Sequence, residues 1–191
     1  MSRPVTLFTG QWADLPFEEI CKKAKSFGYE GLELACWGGH MEPAKGASDS
    51  GYIQKRKDVL KQNGLGCWAL GAHLPGQCVG DKWDERLDAF APDKYAGQPE
   101  KIREWGIEEM KNVAKTAAAM DCGVVTGFMG SPIWKYWYSF PPTPEDMIEK
   151  GFQEIRKLWD PILDEFKKNG VKFALEVHPT EIAFDLYTAE H

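Results

Sequence analysis

The sequence predicts an α/β fold built on a parallel β-sheet, and three observations support this fold class. Short apolar runs alternate along the chain with longer amphipathic segments of helical period, which is the pattern of strand–helix units. Four of these runs follow a glycine at the end of a predicted helix, where glycine closes the last turn in the left-handed conformation. The segments between the runs are long enough for crossover helices, which parallel strands require.

The predicted strands begin near residues 5, 32, 66, 124 and 172. The predicted helices cover residues 17–27, 52–62, 100–120 and 144–168, and another begins within 180–191. In the first helix, apolar residues recur at the spacing of one buried face: Phe17, Ile20, Cys21, Ala24 and Phe27. In the fourth helix, Pro161 predicts a kink or a break, because proline has no N–H for the helical hydrogen bond.

Two architectures fit this order of elements. One is a five-stranded, doubly wound parallel sheet, and the other is the first five units of an eightfold (β/α)8 TIM-type barrel. The strand starts are about 42 residues apart on average, so eight units need roughly 330 residues. On the barrel interpretation, residues 1–191 form a single partial domain that is truncated after the fifth strand and the start of the fifth helix.

The alternation of side chains along two strands favours the barrel. Glu33 lies on the face of the second strand opposite Leu32 and Leu34, and Glu176 and His178 share one face of the fifth. A doubly wound sheet is covered by helices on both faces and needs apolar residues on both. A barrel has one inward face that becomes polar towards its mouth, which suits these three residues.

Charge and cysteine usage exclude several classes of protein. The net charge of −6 argues against nucleic-acid binding, which needs a basic face. No apolar stretch approaches the roughly 18 residues that indicate a membrane span. The 5 cysteines are scattered without a Cys-x-x-Cys pair, so we expect neither a disulfide framework nor a structural zinc site. Such cysteine usage is typical of a reducing compartment, and we therefore expect a cytoplasmic location.

The candidate site lies at the carboxyl ends of the strands, where parallel α/β folds bind their ligands. Glu176 and His178 point the same way, and a carboxylate and an imidazole at this spacing can share a divalent cation or contact a substrate. The alternative is a buried Glu176–His178 pair whose two side chains hydrogen-bond only to each other and bind no ligand. His73 closes the third strand and is equally consistent with a core histidine, whereas His40, in a glycine-rich loop, is expected to be exposed.

Tryptophans occur at the same strand ends. Trp12 and Trp37 follow the first and second strands, and Trp134 lies in an aromatic loop, residues 131–142, after the fourth. Flat aromatic faces suit the C–H faces of sugars, and packing or a subunit contact is the alternative for each ring. No Gly-x-Gly-x-x-Gly fingerprint or phosphate-binding loop is present to support nucleotide binding.

Four segments together resemble the xylose isomerase-like TIM-barrel superfamily, and most closely its sugar phosphate isomerase/epimerase branch. They are Phe8–Trp12, Gly31–Gly38, Val125–Phe128 and, above all, Glu176–Ala183. The resemblance extends from residue 5 to residue 191. It implies a barrel with a divalent metal at its mouth (Mn²⁺, Mg²⁺, Co²⁺ or Zn²⁺), where a hydroxy-carbonyl substrate loses a proton to a Glu and forms an enediolate.

The resemblance also implies a role for individual residues. Glu176 matches the family's first metal ligand, and His73 matches a histidine on the substrate side. Both are therefore expected to be catalytic. His178 and Glu181 fall where family members contact the substrate. The family's other metal ligands come from strands six to eight. A hard cation takes about six ligands, so this chain is expected to coordinate the metal incompletely and to be inactive alone.

The expected function is therefore a metal-dependent isomerase or epimerase of a sugar, sugar phosphate or polyol. Three alternatives stay open: an inosose-type dehydratase, a non-catalytic remnant that binds a partner, and, less favoured, a DNA-repair enzyme like the AP endonucleases. A carbohydrate is the expected ligand, and neither nucleic acid nor membrane is expected as a partner. Unpaired strand edges predict association with a second copy.

Overall fold

The computed structural model describes residues 3–191 and shows five parallel strands in one sheet, alternating with helices. The strands are β1 (Thr6–Phe8), β2 (Gly31–Ala35), β3 (Gly66–Gly71), β4 (Val124–Gly127) and β5 (Lys172–Leu175). The helices are α1 (Phe17–Ser26), α2 (Pro43–Gly46), α3 (Ser50–Gln62), α4 (His73–Gly80), α5 (Pro99–Ala119), α6 (Glu145–Lys168) and α7 (Leu186–Glu190). Short 3-10 turns occupy Gly10–Trp12, Leu87–Phe90, Asp93–Tyr95 and Trp134–Tyr136.

The order of the strands decides between the two predicted architectures. Each strand lies beside its predecessor in the chain, in the order β1-β2-β3-β4-β5. A doubly wound sheet reverses its strand order at a switch point, whereas a barrel-type sheet adds strands sequentially. The barrel-type α/β fold is thus confirmed, and the doubly wound alternative is wrong.

The described chain divides into two compact units. The first contains the chain up to Ala72, with Lys111–Thr126 and Glu165–Ala174, and therefore most of the sheet with α1, α2 and α3. The second contains His73–Met110, Gly127–Asp164 and Leu175–His191, and therefore α4, α7 and the segments that follow β4 and β5. The long helices α5 and α6 contribute to both units.

The core of the first unit follows the predicted pattern. Leu32 and Leu34 of β2 are fully buried, as are three of the apolar positions predicted for α1, Ile20, Cys21 and Ala24. Phe27 is the exception, because it lies just beyond the last residue of α1 and is 66% exposed. The sheet register pairs Phe8 with Glu33.

Helices α2 and α5 pack closely against each other in the first unit. The Thr116 hydroxyl, fully buried, donates a hydrogen bond to the Pro43 carbonyl at 2.9 Å. A Cβ atom on Gly46 would lie 2.5 Å from Thr116 Cγ2, closer than nonbonded carbons approach. Position 46 therefore accommodates only glycine without a shift of the helix.

In the second unit, α4 is an element that the sequence pattern did not predict. Its sequence contains Pro75 and two glycines and is a poor helix former, but all of its residues except Leu74 are buried. Gly76 and Gly80 allow contact with the segment after β4: a Cβ atom at these positions would lie 2.1 Å from the Phe128 carbonyl oxygen and 2.3 Å from that of Met129. Backbone packing outweighs the low helix propensity here.

Of the kink or break predicted at Pro161, the break is wrong, because α6 continues through this residue to Lys168. Proline removes one helical hydrogen bond, whereas the flanking Trp159 and Ile162 are at most 1% exposed and hold this turn of the helix in the core. No helix within residues 3–191 combines the length and apolar character that crossing a lipid bilayer requires.

We expect Gly46→Ala to destabilise the protein by about 1–3 kcal/mol, because the new methyl group overlaps Thr116, which cannot move without losing its hydrogen bond. Urea unfolding followed by circular dichroism measures the change. Gly123→Ala is the matched control, because a Cβ atom at position 123 would meet no other atom within 4 Å. Equal free energies of unfolding for the two variants would contradict the steric role of Gly46.

Candidate active site after strands β3, β4 and β5

The structure brings two predicted catalytic residues together in the second unit. Glu176 directly follows β5, and its N–H donates to the Gly127 carbonyl at 3.0 Å; His73 begins α4 immediately after β3. His73 Nε2 lies 2.9 Å from Glu176 Oε2. A carboxylate only accepts hydrogen bonds, so the proton of this bond is on His73 Nε2. The His73 side chain is 10% exposed and that of Glu176 50%, so the carboxylate faces open space.

An aromatic ring joins this pair to His178. The Phe128 ring, in the segment after β4, lies 4.7 Å from the His73 ring and 5.0 Å from the His178 ring, centroid to centroid. His178 is exposed, and its Nδ1 donates to the Pro179 carbonyl at 2.5 Å, which leaves Nε2 as an acceptor in the neutral ring. The three rings form one continuous wall beside Glu176.

A cavity of about 440 Å³ adjoins this wall, and His178, Phe128 and Trp134 line it. Trp134 is held in place by its backbone N–H, which donates to the Ser131 hydroxyl at 2.9 Å. Its ring packs edge-on against Phe184 at 5.5 Å. The structure therefore places predicted substrate contacts from two different loops, Trp134 and His178, on one cavity.

Glu181, the fifth predicted residue of this unit, is fully buried. Its Oε2 accepts hydrogen bonds from the N–H groups of Met129 at 3.1 Å and Gly130 at 2.7 Å. These bonds tie the segment after β5 to the segment after β4. In this structure Glu181 anchors the two loops, and its predicted contact with substrate stays a prediction.

Burial changes the acidity of this anchor. Removal from water raises the pKa of Glu181 from 4.5 to about 7, and the two N–H donors and Gln77 offset this rise only in part. Burial also raises the pKa of the neighbouring Asp81, whose Oδ1 accepts a hydrogen bond from Ser131 N–H at 2.7 Å. Two carboxyl groups thus accept backbone hydrogen bonds from the segment after β4.

Charged residues on the cavity rim were not predicted from the sequence. Asp84 bridges Arg86 and Lys135 at 2.7 and 2.6 Å, and these two cations hold the pKa of Asp84 well below its usual range. Lys82 lies over the Tyr136 ring, 5.3 Å from its centroid. The charged run of residues 81–86 was the available signal, but the sequence did not show that it follows a helix, α4, that starts at His73.

The remaining predicted residues belong to the first unit. Trp37, half-buried, packs against Phe8 with centroids 5.7 Å apart, and Trp12 ends the 3-10 turn after β1. Glu33 accepts a hydrogen bond from the Thr126 hydroxyl at 2.5 Å. The expected exposure of His40 is wrong: it packs beside Phe17 and is fully buried, and its Nε2 donates to the Leu15 carbonyl at 2.9 Å.

The donor atoms of the site decide whether it can hold a metal ion. Glu176 is a half-exposed carboxylate of the kind that binds hard cations, and His73 already donates to it. Within residues 3–191, however, no group of three or more His, Cys, Asp or Glu side chains is placed to hold a metal ion. The described residues therefore do not make up a complete metal site.

A second and larger cavity in the same unit measures about 750 Å³. Trp137, Phe152 and His191 are among its lining residues, and none of the described lining residues was predicted for the site. The smaller cavity is the candidate site because the predicted residues His178 and Trp134 line it, although the other cavity has the larger volume.

The fold and this arrangement define a β/α-barrel protein with its polar groups at the carboxyl ends of the strands. The model of the family described as xylose isomerase-like TIM barrel matches residues 21–191. The chain belongs to this family, as its motifs predicted. No curated protein matches the chain.

Solved structures show the same fold at low identity. The 3-keto-D-glucoside 4-epimerase YcjR from E. coli is similar with a TM-score of 0.66 and 12% identity, over 99% of this chain and 62% of that one. The probable 3-DHS dehydratase AsbF from Bacillus anthracis is similar with a TM-score of 0.61 and 17% identity, over 98% of this chain and 57% of that one. The IOLI protein with a bound zinc atom is similar with a TM-score of 0.57 and 13% identity, over 98% of this chain and 56% of that one. The chain thus spans between about half and two thirds of the length of these structures.

We expect Glu181→Gln to make the protein's stability less dependent on pH. In wild type the folded pKa lies above the unfolded value, so the stability contributed by the protonated group is complete below about pH 4.5 and is lost as pH rises through about 7. Glutamine keeps the shape without a charge. The variant should therefore gain up to about 3 kcal/mol relative to wild type between pH 5 and pH 8.

Urea unfolding at several pH values measures this difference. Asp81 titrates in both proteins, and its repulsion of charged Glu181 is part of the difference measured. Glu190→Gln, an exposed position in α7, is the matched control and should follow wild type. A difference between Glu181→Gln and wild type that stays constant with pH would show that folding does not raise the pKa of Glu181.

Proposed function

We propose that this chain carries part of the active site of a metal-dependent isomerase or epimerase that acts on a sugar, sugar phosphate or polyol through an enediolate. One observation supports the proposal above all others. The His73–Glu176 hydrogen bond of 2.9 Å orients a half-exposed carboxylate after β5, and His178, two residues further along the chain, lines a cavity together with Trp134. The sugar epimerase among the similar structures supports the class of substrate.

In the proposed reaction, Glu176 takes the proton from the carbon between the hydroxyl and carbonyl groups of the substrate. His73 Nε2–H fixes Glu176 Oε2, and so orients the carboxylate towards that carbon. The Phe128 ring packs edge-on against the His73 ring, with centroids 4.7 Å apart, and covers that side of the imidazole.

The other residues of the cavity bind the substrate in this proposal. His178 Nε2 accepts a hydrogen bond from a substrate hydroxyl, because Nδ1 is already bound to the Pro179 carbonyl. The Trp134 face packs against the C–H groups of the sugar, with Phe184 supporting the ring from its edge. Trp12 and Trp37 remain proposed substrate contacts of the first unit.

A divalent metal, when bound, would polarise the hydroxy-carbonyl group, and we propose Glu176 as one of its ligands. The bound zinc of the IOLI structure supports a divalent metal in this family. The chain alone is proposed to be inactive, in the cytoplasm, and to associate with a second copy.

We expect Mn²⁺ to broaden the imidazole resonances of His73 and His178 in wild type, because the paramagnetic ion would bind beside both rings. Glu176→Gln removes the charged ligand and should weaken this effect at least about tenfold. Proton NMR of the four histidines during a Mn²⁺ titration measures the change. Adding a ketose such as D-fructose should then shift His178, and less so in Glu176→Gln.

Glu190→Gln serves as the matched control and should behave as wild type, since Glu190 is an exposed carboxylate of the same unit. Broadening that is equal in wild type and Glu176→Gln would refute Glu176 as a metal ligand. Broadening without any response to sugars would favour a metal-binding remnant over a carbohydrate enzyme.

A further inference from the structure

Two cysteine thiols lie within contact distance in the first unit, one near the start of β3 and the other just before β4. The Sγ atoms of Cys67 and Cys122 are 3.4 Å apart, and both are free thiols. The register pairs Ala69 of β3 with Val124 of β4, and two residues further back the same register places Cys67 opposite Cys122. Neighbouring strands are about 4.8 Å apart, within the range of Cα separations that a disulfide spans.

The surroundings favour reaction at this pair. Cys67 lines a groove of about 390 Å³ on the surface, with Lys57 and Asp121 also on its wall. The hydrogen bond between the two thiols lowers the pKa of Cys122 and raises that of Cys67; burial and Asp121 oppose the lowering at Cys122, and Lys57 adds to it. The thiolate is the reactive form, so Cys122 is the first thiol to react.

Other cysteines provide a contrast. Cys122 is as buried as Cys21 and Cys78, at 2% exposed, but the hydrogen bond with Cys67 lowers the pKa of Cys122, whereas burial raises the pKa of the Cys21 and Cys78 thiols to about 12. Such thiols stay protonated and react slowly with oxidants. The difference within one chain separates the Cys67–Cys122 pair from cysteines that serve only as core residues.

We propose that Cys67 and Cys122 are a redox-active thiol pair, which a hydroperoxide converts into an intramolecular disulfide. The pair shares no residue with the groups assigned to catalysis, and the proposal does not depend on the proposed function. In a reducing compartment such a bond forms transiently under oxidant and is reversed by thiols.

The two steps balance with hydrogen peroxide as the oxidant. The Cys122 thiolate attacks one peroxide oxygen, an S–O bond forms, the O–O bond breaks, and hydroxide leaves and is protonated to water. The Cys67 thiolate then attacks Cys122 sulfur, the S–S bond forms, the S–O bond breaks, and a second hydroxide leaves as water after protonation. Two thiols are oxidised, and one peroxide is reduced to two waters.

The disulfide would enclose residues 68–121 in a covalent loop. Closing a loop of this length restricts the unfolded chain, and so raises the unfolding temperature. We expect an increase in Tm of about 5–10 °C on oxidation, reversed by dithiothreitol.

The test uses the wild-type chain, treated with hydrogen peroxide, alkylated, and cleaved with trypsin without reduction. The oxidised chain should lose about 2 Da, and alkylate at three cysteines instead of 5. The cross-link should join the tryptic peptides 62–82 and 116–135. Because peptide 62–82 contains both Cys67 and Cys78, the variant Cys78→Ser should keep the cross-link and the increase in Tm.

The variant Cys67→Ser should lose the cross-link and the increase in Tm. It should leave Cys122 as a sulfenic acid, which dimedone traps. Three outcomes overturn the proposal: alkylation of all 5 cysteines after peroxide, a bond within peptide 62–82, or a disulfide between two chains. The peptide map of the wild-type chain is decisive even if a serine variant fails to fold.

Discussion

The candidate site depends on the hydrogen bonds that a buried carboxylate makes to two backbone N–H groups. Glu181 accepts from Met129 and Gly130, and so holds the loop after β5 against the loop after β4. Backbone bonds from Glu176 to Gly127 and from Ile182 to Gly130 run between the same two loops. Each loop carries residues of the site, and without this junction Phe128 would not lie between His73 and His178.

The junction is costly, and the rest of the second unit compensates for it. A fully buried carboxyl group loses its hydration, which is why its pKa rises to about 7. Helix α4 packs against the same loop through Gly76 and Gly80, whose missing side chains let two backbones approach. Because α4 starts at His73, this packing also fixes the imidazole that donates to Glu176. Loop anchor and proposed catalytic pair are therefore parts of one packed arrangement.

Much of the fold and part of the site were predictable from local sequence pattern. The five strands begin within a few residues of their predicted starts, because glycine-terminated helices and apolar runs are local signals. Glu176 and His178 lie just after β5, which ends at Leu175, and so at the predicted strand end although outside the strand itself. The missed features, α4 and the buried His40, depend on contacts with residues distant in sequence, which no local pattern records.

By itself, the sequence determined the α/β class, the family and the residues at the strand ends, since periodicity and motifs are properties of neighbouring residues. The tertiary structure decided the strand order, and with it the barrel-type fold, because pairing between strands is a long-range choice. It also decided which predicted residues meet: His73 with Glu176, and His178 with Trp134 on one cavity. Glu181 became a buried anchor for the same reason, since burial and partners are set only when separate segments pack.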